Sequence, residues 1–314
     1  MEVKRKMTIS VVMCCYNGEK YIQEQMDSLK NQSRKADEVI IIDDCSKDDT
    51  VQIIKSYIQQ NKLQSWTLIE NKKNKGWKEN FMFGIRQAKG EVIFPCDQDD
   101  IWNLEKLEKM SLLMDQNDKI LALSSNYTPY YEGEEHRKVD NIFTKTMKFD
   151  ESCEKIELSE KALYIYRPGC VMALRKKLFE IAEQYKFEDY PHDALFWRTA
   201  LFLDGLYLYN FSSIKFRRHN SNASDAVRHK KLEKLADINY YIRVSEFLEK
   251  MVRDYNQGEE KIELLDKIIS FMEKRKEFYE TGKLKYYLQL VGKYRKYYIT
   301  DKAMVGDFII CKRG

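Results

Sequence analysis

The first part of the sequence alternates short, continuous apolar runs with segments of helical periodicity, and this alternation restricts the fold more than any other feature. Apolar runs rich in β-branched residues predict strands that are buried on both faces. The predicted strands are Thr8–Cys14, Glu38–Asp43, Trp66–Glu70 and Glu91–Pro95. Strands that alternate with helices form a parallel sheet with helices on both faces. We therefore predict an α/β fold, with its ligand beyond the carboxyl ends of the strands.

Carboxylates cluster where two of these strands end. Asp44 follows the second strand, and Asp97, Asp99 and Asp100 follow the fourth. Acids packed this closely repel one another unless a cation lies among them, and Mg²⁺ or Mn²⁺ takes carboxylate oxygens and bridges substrate phosphates. The alternative is that each aspartate only caps the helix that follows it. The density of acids favours a metal or nucleotide site, with Mg²⁺ or Mn²⁺ as the cofactor.

Four segments of the same region resemble the family 2 glycosyltransferases of the GT-A fold. They read VVMCCYNGEKYIQEQMDSLKNQS, EVIIIDDCSKDDT, NKKNKGWKENF and GEVIFPCDQDDIW, and their order and spacing carry the resemblance. The similarity covers about residues 8–105 and continues more weakly to about residue 224. It implies a mostly parallel central sheet with helices on both faces. It also implies an enzyme that transfers a sugar from a nucleotide diphosphate donor.

The resemblance assigns several residues to the donor. The loop Cys14–Glu19 would wrap the base and ribose, and Asp44 would accept a hydrogen bond from a pyrimidine ring N–H. CDQDD looks like the family's DxD motif, in which Asp97 reaches the ribose and Asp99 binds the metal that bridges the two phosphates. The residues assigned to the nucleotide are Cys14, Tyr16, Asn17, Glu19, Asp44, Asn71 and Asp97.

The acceptor is expected in the second half of this region. The segment DYPHDALFWRTA resembles the family's acidic motif, whose aspartate, here Asp193, is the general base that takes the proton of the attacking hydroxyl. One base acting in a single displacement inverts the anomeric carbon. The alternative is that Asp193 only caps the next helix. We also expect His192 and Gly169 near the acceptor, although a glycine such as Gly169 more often serves a turn.

The segment IKFRRHNSNAS resembles a motif of bacterial rhamnosyltransferase-like members of the family. In that interpretation Arg217 and His219 neutralise the diphosphate or bind the metal. Trp102, in DQDDIW, would form a wall of the sugar or acceptor site. The alternatives are a solvated basic turn for the arginine and histidine, and a core position for the tryptophan.

Two donors remain open at this stage. The rhamnosyltransferase-like motif favours dTDP-L-rhamnose, whereas the base-binding residues suit a UDP-hexose or a UDP-N-acetylhexosamine as well. The expected acceptor is a saccharide hydroxyl, in the synthesis of a bacterial capsule, O-antigen or other surface polysaccharide. More distant alternatives are a Mg²⁺-dependent phosphatase and a sugar-binding protein without catalysis. The GxGxxG of Rossmann oxidoreductases is missing from the sequence, and nucleic acid is not an expected partner.

Helical periodicity replaces the strand–helix alternation after about residue 225. We therefore predict a catalytic region at 1–224 and a helical region at 225–314. Within the catalytic region, the nucleotide-sugar half is expected at about 1–105 and the acceptor half at about 106–224.

The end of the helical region is strongly basic. From Lys283 onward the chain has eight Lys or Arg against two Asp. A basic amphipathic helix suits peripheral contact with an anionic membrane, where a lipid-linked acceptor would be found. The alternative is a helix packed against the catalytic region. The residues expected to share one apolar face are Leu284, Tyr287, Leu288, Val291 and Tyr298.

The composition favours a cytoplasmic location. Mean hydropathy is −0.61, and no apolar run approaches the roughly twenty residues that span a bilayer. The basic N-terminus lacks the apolar core of a secretory signal. Seven cysteines occur without a CxxC pair, and an odd number argues against a disulfide framework. We expect a cytoplasmic protein that is at most peripheral on the inner face of the membrane.

Overall fold

The computed structural model describes residues 6–132, 144, 146–218 and 230–313 of the 314-residue chain. Its N-terminal part follows the predicted alternation of strands and helices. The strands are β1 (Ile9–Cys15), β2 (Glu38–Asp43), β3 (Trp66–Glu70), β4 (Val92–Asp97) and β5 (Ile101–Trp102). The helices are α1 (Ile22–Lys30), α2 (Thr50–Gln60), α3 (Trp77–Gln87) and α4 (Lys106–Gln116).

The remaining strands extend the same sheet beyond β4. They are β6 (Ala122–Tyr131), β7 (Cys153–Lys155), β8 (Met172–Arg175) and β9 (Leu206–Arg218), with the helices α5 (Lys176–Ala182) and α6 (His192–Phe202) between β8 and β9. The strand order is β3-β2-β1-β4-β8-β6-β9-β5, and β7 pairs with β9. Strands β1 to β4 are parallel, whereas β8 is antiparallel to both β4 and β6. The predicted α/β fold is confirmed, and the sheet is parallel in its first half and mixed beyond β4.

Helices cover both faces of the parallel half, as the continuous apolar strands predict. Val11 and Met13 of β1 share one core cluster with Ile22 of α1. Val12, on the opposite face, lies against α3, where a Cβ at Gly84 would come within 2.5 Å of its side chain. Successive side chains of a strand point to opposite faces, so a strand covered on both sides needs apolar residues at consecutive positions.

The chain forms two compact units. The first contains the sheet and comprises Met1–Ile156, Tyr166–Ala200 and Gly205–Ser221, and the second comprises Glu157–Ile165, Leu201–Asp204 and Asn222–Gly314. Two short segments that precede residue 225 thus cluster with the C-terminal helices. The predicted boundaries of the catalytic and helical regions remain predictions.

The second unit is built mainly from helices. They are α7 (Lys231–Asp254), α8 (Glu259–Thr281), α9 (Leu284–Gly292) and α10 (Asp301–Arg313). Helix α8 ends at Gly282, whose φ of +64° gives the left-handed conformation that favours glycine. Among the described residues, no helix has the length and apolar character needed to cross a membrane.

The basic tail differs from the single amphipathic helix that its sequence predicts. Helix α9 ends at Gly292, and a short 3-10 turn over Arg295–Tyr297 separates it from α10. Tyr298 is buried instead of lying on an exposed stripe with Leu284 and Leu288, both of which are exposed. The low helix propensity of Gly292 favours the end of the helix there, although the apolar periodicity continues past it.

A buried polar cluster joins α8 to α10 inside the second unit. Arg275 donates to both carboxylate oxygens of Asp307, at 2.7 and 3.0 Å. The hydroxyls of Tyr279 and Tyr298 each donate to the same carboxylate at 2.8 Å. Burial and then the charge of Asp307 raise the pKa of both tyrosines, so both remain neutral donors. One carboxylate therefore satisfies three buried donor groups.

We expect Asp307→Asn to destabilise the protein by about 3–5 kcal/mol, because it leaves the buried Arg275 charge without its partner. Chemical denaturation monitored by circular dichroism measures the loss. Asp301→Asn is the matched control, since its ion pair with Arg295 is exposed and should contribute almost nothing. Equal stability of the two variants would contradict a supporting role for the buried cluster.

Candidate active site

The carboxyl ends of three parallel strands meet at one edge of the sheet and bring several predicted site residues together. Cys14 of β1 lies beside Asp97 of β4, and Cys15 lies beside Asp43 of β2. Burial, followed by the charges of neighbours that include Asp97, raises the pKa of the Cys14 thiol well above its usual value. Cys14 therefore presents a neutral thiol at the centre of this edge.

The loop after β1 is fastened to the loop after β2. The backbone N–H of Lys47 donates to Asn17 Oδ1 at 2.8 Å, and that of Asp49 donates to Glu19 Oε2 at 3.0 Å. The side chains of Asn17 and Glu19 therefore hold the two loops together. Tyr16 is 45% exposed, so its side chain is accessible to a ligand from solution. Their contacts with a nucleotide remain predictions.

Asp44 anchors the loop between β3 and α3. Its carboxylate accepts the backbone N–H groups of Lys75 and Gly76, both at 2.8 Å, and the side-chain amide of Asn71 at 3.1 Å. Although burial alone would raise it, the pKa of Asp44 is lowered by these hydrogen bonds. Gly76 has φ of +82°, a conformation that suits glycine. The two residues predicted to contact the base, Asp44 and Asn71, therefore belong to one partly buried hydrogen-bond network.

The acids after β4 form the most unusual electrostatic feature of the sheet. Ligand atoms of Asp97, Asp100 and Cys170 lie within 4.8 Å of one another. Burial, followed by the charge of Asp99 and, more weakly, that of Asp193, raises the pKa of Asp97 to about 7. Burial and then Asp97 raise the pKa of Asp100, whose Oδ2 is buried without a hydrogen-bond partner among the described residues.

The acids that lie close together in the structure are not the pair that the DxD motif predicts. Asp99, which the DxD motif assigns to the metal, lies outside the close group of ligand atoms, and Asp100 takes its place there. Asp100 is only 1% exposed, whereas Asp97 and Asp99 are partly exposed. Carboxylates that meet a ligand from solution must be accessible, so Asp97 and Asp99 form the front of the cluster and Asp100 its buried back.

Lys106 supports the cluster from inside the protein, and the sequence analysis missed it. Its Nζ donates to the carbonyl of Cys170 at 2.6 Å and lies 3.4 Å from the centre of the Trp102 ring. Burial lowers the pKa of Lys106 to about 8, so the side chain is still a cation at neutral pH. The available signal was its position on α4, one turn before Met110 and two before Met114, on the buried stripe.

Trp102 does not form a wall of an open site. The indole is 4% exposed, and it packs between Phe94 and the Lys106 ammonium. The prediction of a sugar-facing tryptophan is corrected to its alternative, a core position. Trp102 pairs with Ile214 where β5 runs antiparallel to β9, and its side chain points into the core.

The acidic motif of the second half lies close to the β4 cluster. Asp193 is the second residue of α6, and its Oδ1 accepts the N–H of Ala194 at 2.7 Å. The helix begins at His192, so Asp193 is not its N-cap residue. A Cβ at Gly169 would lie 3.1 Å from Asp193 Cβ, and the next residue, Cys170, has its thiol within 4.8 Å of ligand atoms of Asp97 and Asp100, so the proposed base lies near the acidic cluster.

His192 is buried behind this motif. Its ring stacks on Phe81 with centroids 4.1 Å apart, and neither ring nitrogen has a partner among the described residues. Burial lowers its pKa, so the ring is neutral. A Cβ at Gly169 would lie 2.7 Å from His192 Nε2 and 3.1 Å from Asp193 Cβ. Gly169 is thus needed for close packing of the backbone against the acidic motif.

Arg217 has a different environment from the predicted one. Its guanidinium forms ion pairs with Glu24 and Glu132, and Nε donates to the backbone carbonyl of Asp99 at 2.7 Å. A side chain held in this way, and 2% exposed, is not a free clamp for a diphosphate. His219, predicted to act beside it, lies outside the described residues.

Comparison with known proteins identifies the family. Residues 10–181, more than half of the chain, match the model of glycosyl transferase family 2. The chain belongs to this family and is a glycosyltransferase, which confirms the prediction made from the four N-terminal segments. The rhamnosyltransferase-like branch is not confirmed.

Individual relatives agree with this assignment. A Haemophilus influenzae protein described as an uncharacterized glycosyltransferase is 27% identical over 248 residues, which cover 74% of each chain. The poly(ribitol-phosphate) β-N-acetylglucosaminyltransferase TarS of Staphylococcus aureus is 35% identical over 113 residues. This match covers 35% of the present chain but only 19% of TarS.

Solved structures share the fold. A crystal structure of S. aureus TarS in complex with UDP-GlcNAc has a TM-score of 0.64 and 20% identity, covering 97% of this chain and 81% of the other. The mannosyltransferase PcManGT of Pyrobaculum calidifontis, in complex with GDP-Man and Mn²⁺, has a TM-score of 0.53 and 16% identity, covering 99% and 87%. Both are glycosyltransferases, and the fold predicted from the sequence is the one they share.

Proposed function

We propose that the protein transfers a sugar from a nucleotide diphosphate donor to a saccharide hydroxyl, with inversion at the anomeric carbon. The observation that carries this proposal is the contact of Asp193 with Gly169, which directly precedes the Cys170 of the acidic cluster, in a family 2 chain. The cluster provides a site for a diphosphate-bound cation, and Asp193 provides a base next to it. A single displacement assisted by one base inverts the reacting carbon.

The proposed cofactor is a divalent cation held by Asp97 and Asp99. Both carboxylates are partly exposed, and hard cations such as Mg²⁺ and Mn²⁺ prefer oxygen ligands from carboxylates and phosphates. A bound cation would lower the repulsion that raises the pKa of Asp97, and it would stabilise the charge that develops on the leaving diphosphate. The Mn²⁺ complex of the structurally similar PcManGT supports this cofactor.

The proposed donor is a UDP-N-acetylhexosamine. TarS, which is similar in sequence and in fold, is an N-acetylglucosaminyltransferase and is known in complex with UDP-GlcNAc. The Asp44–Asn71 network suits a pyrimidine, because it places a carboxylate, just after β2, beside an amide, just after β3. Neither TarS nor PcManGT supports the alternative donor, dTDP-L-rhamnose.

The proposed acceptor is a lipid-linked saccharide of a bacterial surface polysaccharide, reached at an anionic membrane. In the second unit, α9 exposes 53% of Leu284 and 60% of Leu288, with the exposed Lys285 between them. Apolar side chains flanked by lysines suit the boundary between head groups and acyl chains. Arg295 and Lys296, by contrast, form ion pairs with Asp301 and Glu160 and contribute less.

We expect Asp99→Asn to lower turnover of UDP-GlcNAc by about 10²–10³-fold, because the charge stabilisation provided by a metal is worth several kcal/mol. Release of UDP with Mn²⁺ and with excess chelator measures the effect. Asp254→Asn, in the helical unit, is the control for loss of an acid and should keep wild-type turnover. Full wild-type activity in chelator would refute the metal-dependent mechanism.

Asp193→Asn should reduce the rate of transfer by about 10²–10⁴-fold, the usual contribution of general-base catalysis. The amide keeps the size of the side chain and the oxygen that accepts the Ala194 N–H, so folding and UDP-GlcNAc affinity should survive. Single-turnover rates on a panel of bacterial surface saccharides, together with calorimetry of donor binding, separate the two effects. Transfer at nearly the wild-type rate would assign the base to another carboxylate.

The membrane proposal predicts that the protein sediments with phosphatidylglycerol vesicles at low salt and dissociates at high salt, because screening weakens the attraction of lysines to lipid. The double variant Leu284→Ser and Leu288→Ser should lose most of this binding. Leu112→Ser, which changes a half-exposed leucine of α4, is the matched control and should bind like the wild type. No wild-type binding at low salt would exclude the proposed contact.

A further inference from the structure

Arg217 lies at the end of β9 and contacts the acidic loop through both its backbone and its side chain. Its N–H donates to Asp100 Oδ1 at 3.0 Å, and its Nε donates to the carbonyl of Asp99 at 2.7 Å. We propose that Arg217 is a positioning residue that holds the Asp97–Asp100 loop in its metal-binding geometry. This inference rests on the proposed function, because it assumes that the loop binds a divalent cation.

The charge of Arg217 is already compensated, so it cannot also serve a diphosphate. The guanidinium forms an ion pair with Glu24 of α1, and Nη1 lies 2.8 Å from Glu132, just after β6. Hydrogen bonds from Lys20 and Tyr21 lower the pKa of Glu132 to about 2, which keeps its carboxylate ionised. Two anions therefore face one buried cation.

Two aromatic rings fix the direction of the side chain. The guanidinium carbon lies 4.7 Å from the centre of the Tyr21 ring and 4.9 Å from that of Tyr130. A planar guanidinium between rings can donate several bonds in fixed directions, which an ammonium cannot do. The two rings and the two glutamates thus orient the guanidinium so that its Nε donates to the carbonyl of Asp99.

The consequence for the metal site concerns the loop conformation. Asp97 is fixed by its strand, since it is the last residue of β4 and pairs with Cys14. Asp99 and Asp100 lie beyond the strand, and Arg217 bonds to one atom of each. Without the guanidinium, the Asp99 carbonyl loses a charged donor, and the direction of its carboxylate relative to Asp97 is no longer fixed. Partners of this kind, which orient ligands without touching the metal, commonly change metal affinity by 10–100-fold.

Mn²⁺ affinity measured by electron paramagnetic resonance tests this role without relying on activity. We expect Arg217→Met to weaken Mn²⁺ binding, in the presence of UDP, by about 10–100-fold. Arg217→Lys retains the positive charge but cannot reproduce the fork of donors, so it should also weaken binding. If the methionine variant fails to fold, the Mn²⁺ affinity of the lysine variant provides the test.

Arg175→Met is the matched control. Arg175 is partly buried and, like Arg217, donates to backbone carbonyls, those of Ile120 and Met114, both at 2.6 Å, but it pairs with Val92 at the opposite end of β4. We expect this variant to lower the melting temperature and leave Mn²⁺ affinity unchanged. If a folded Arg217 variant binds Mn²⁺ as tightly as the wild type, the positioning role of Arg217 is overturned, whereas the proposed cofactor is not. Absence of Mn²⁺ binding by the wild-type protein would overturn the proposed cofactor, and the inference with it.

Discussion

The active site depends on one electrostatic constraint, the concentration of carboxylates at the carboxyl end of β4. Asp97 and Asp100 have raised pKa values because burial and the charges of neighbouring carboxylates disfavour their ionised forms. Such a group is stable only when cations approach it. Lys106 of α4 provides one from inside the protein, and Arg217 of β9 holds the loop by a hydrogen bond to Asp100. The front, formed by Asp97 and Asp99, is where we propose that the divalent ion binds, and the same repulsion that is costly to the fold would then favour binding of that cation.

The surrounding loops make this site rigid before a donor arrives. Asp44 holds the loop ahead of α3, and Asn17 and Glu19 fasten the loop after β1 to the loop after β2. Side chains that a sequence assigns to the nucleotide are therefore occupied in shaping the site, with Tyr16 left accessible. Preorganised donors and acceptors need little rearrangement during the reaction, which is the condition for strong electrostatic stabilisation of a leaving diphosphate.

The sequence predicted the sheet well because its strands are continuous apolar runs, whose burial on both faces leaves few alternatives. It also brought Cys14 and Asp97 together correctly, since parallel strands end at the same edge. It failed where a side chain's direction depends on distant partners. Trp102 and Arg217 look like ligand-binding residues in their local motifs, but one packs in the core and the other pairs with glutamates far away in the chain. Lys106 went unnoticed because a lysine on a helix is usually exposed.

The central claim, that the β4 cluster binds a divalent ion which carries the diphosphate, is tested most directly by calorimetry of UDP binding with and without Mn²⁺. The account predicts saturable binding with Mn²⁺ and an affinity at least about tenfold weaker in chelator, since the metal offsets the repulsion between the diphosphate and the carboxylates. It also predicts that GDP binds more weakly than UDP under both conditions. Equal affinity for UDP with Mn²⁺ and with chelator would contradict the account.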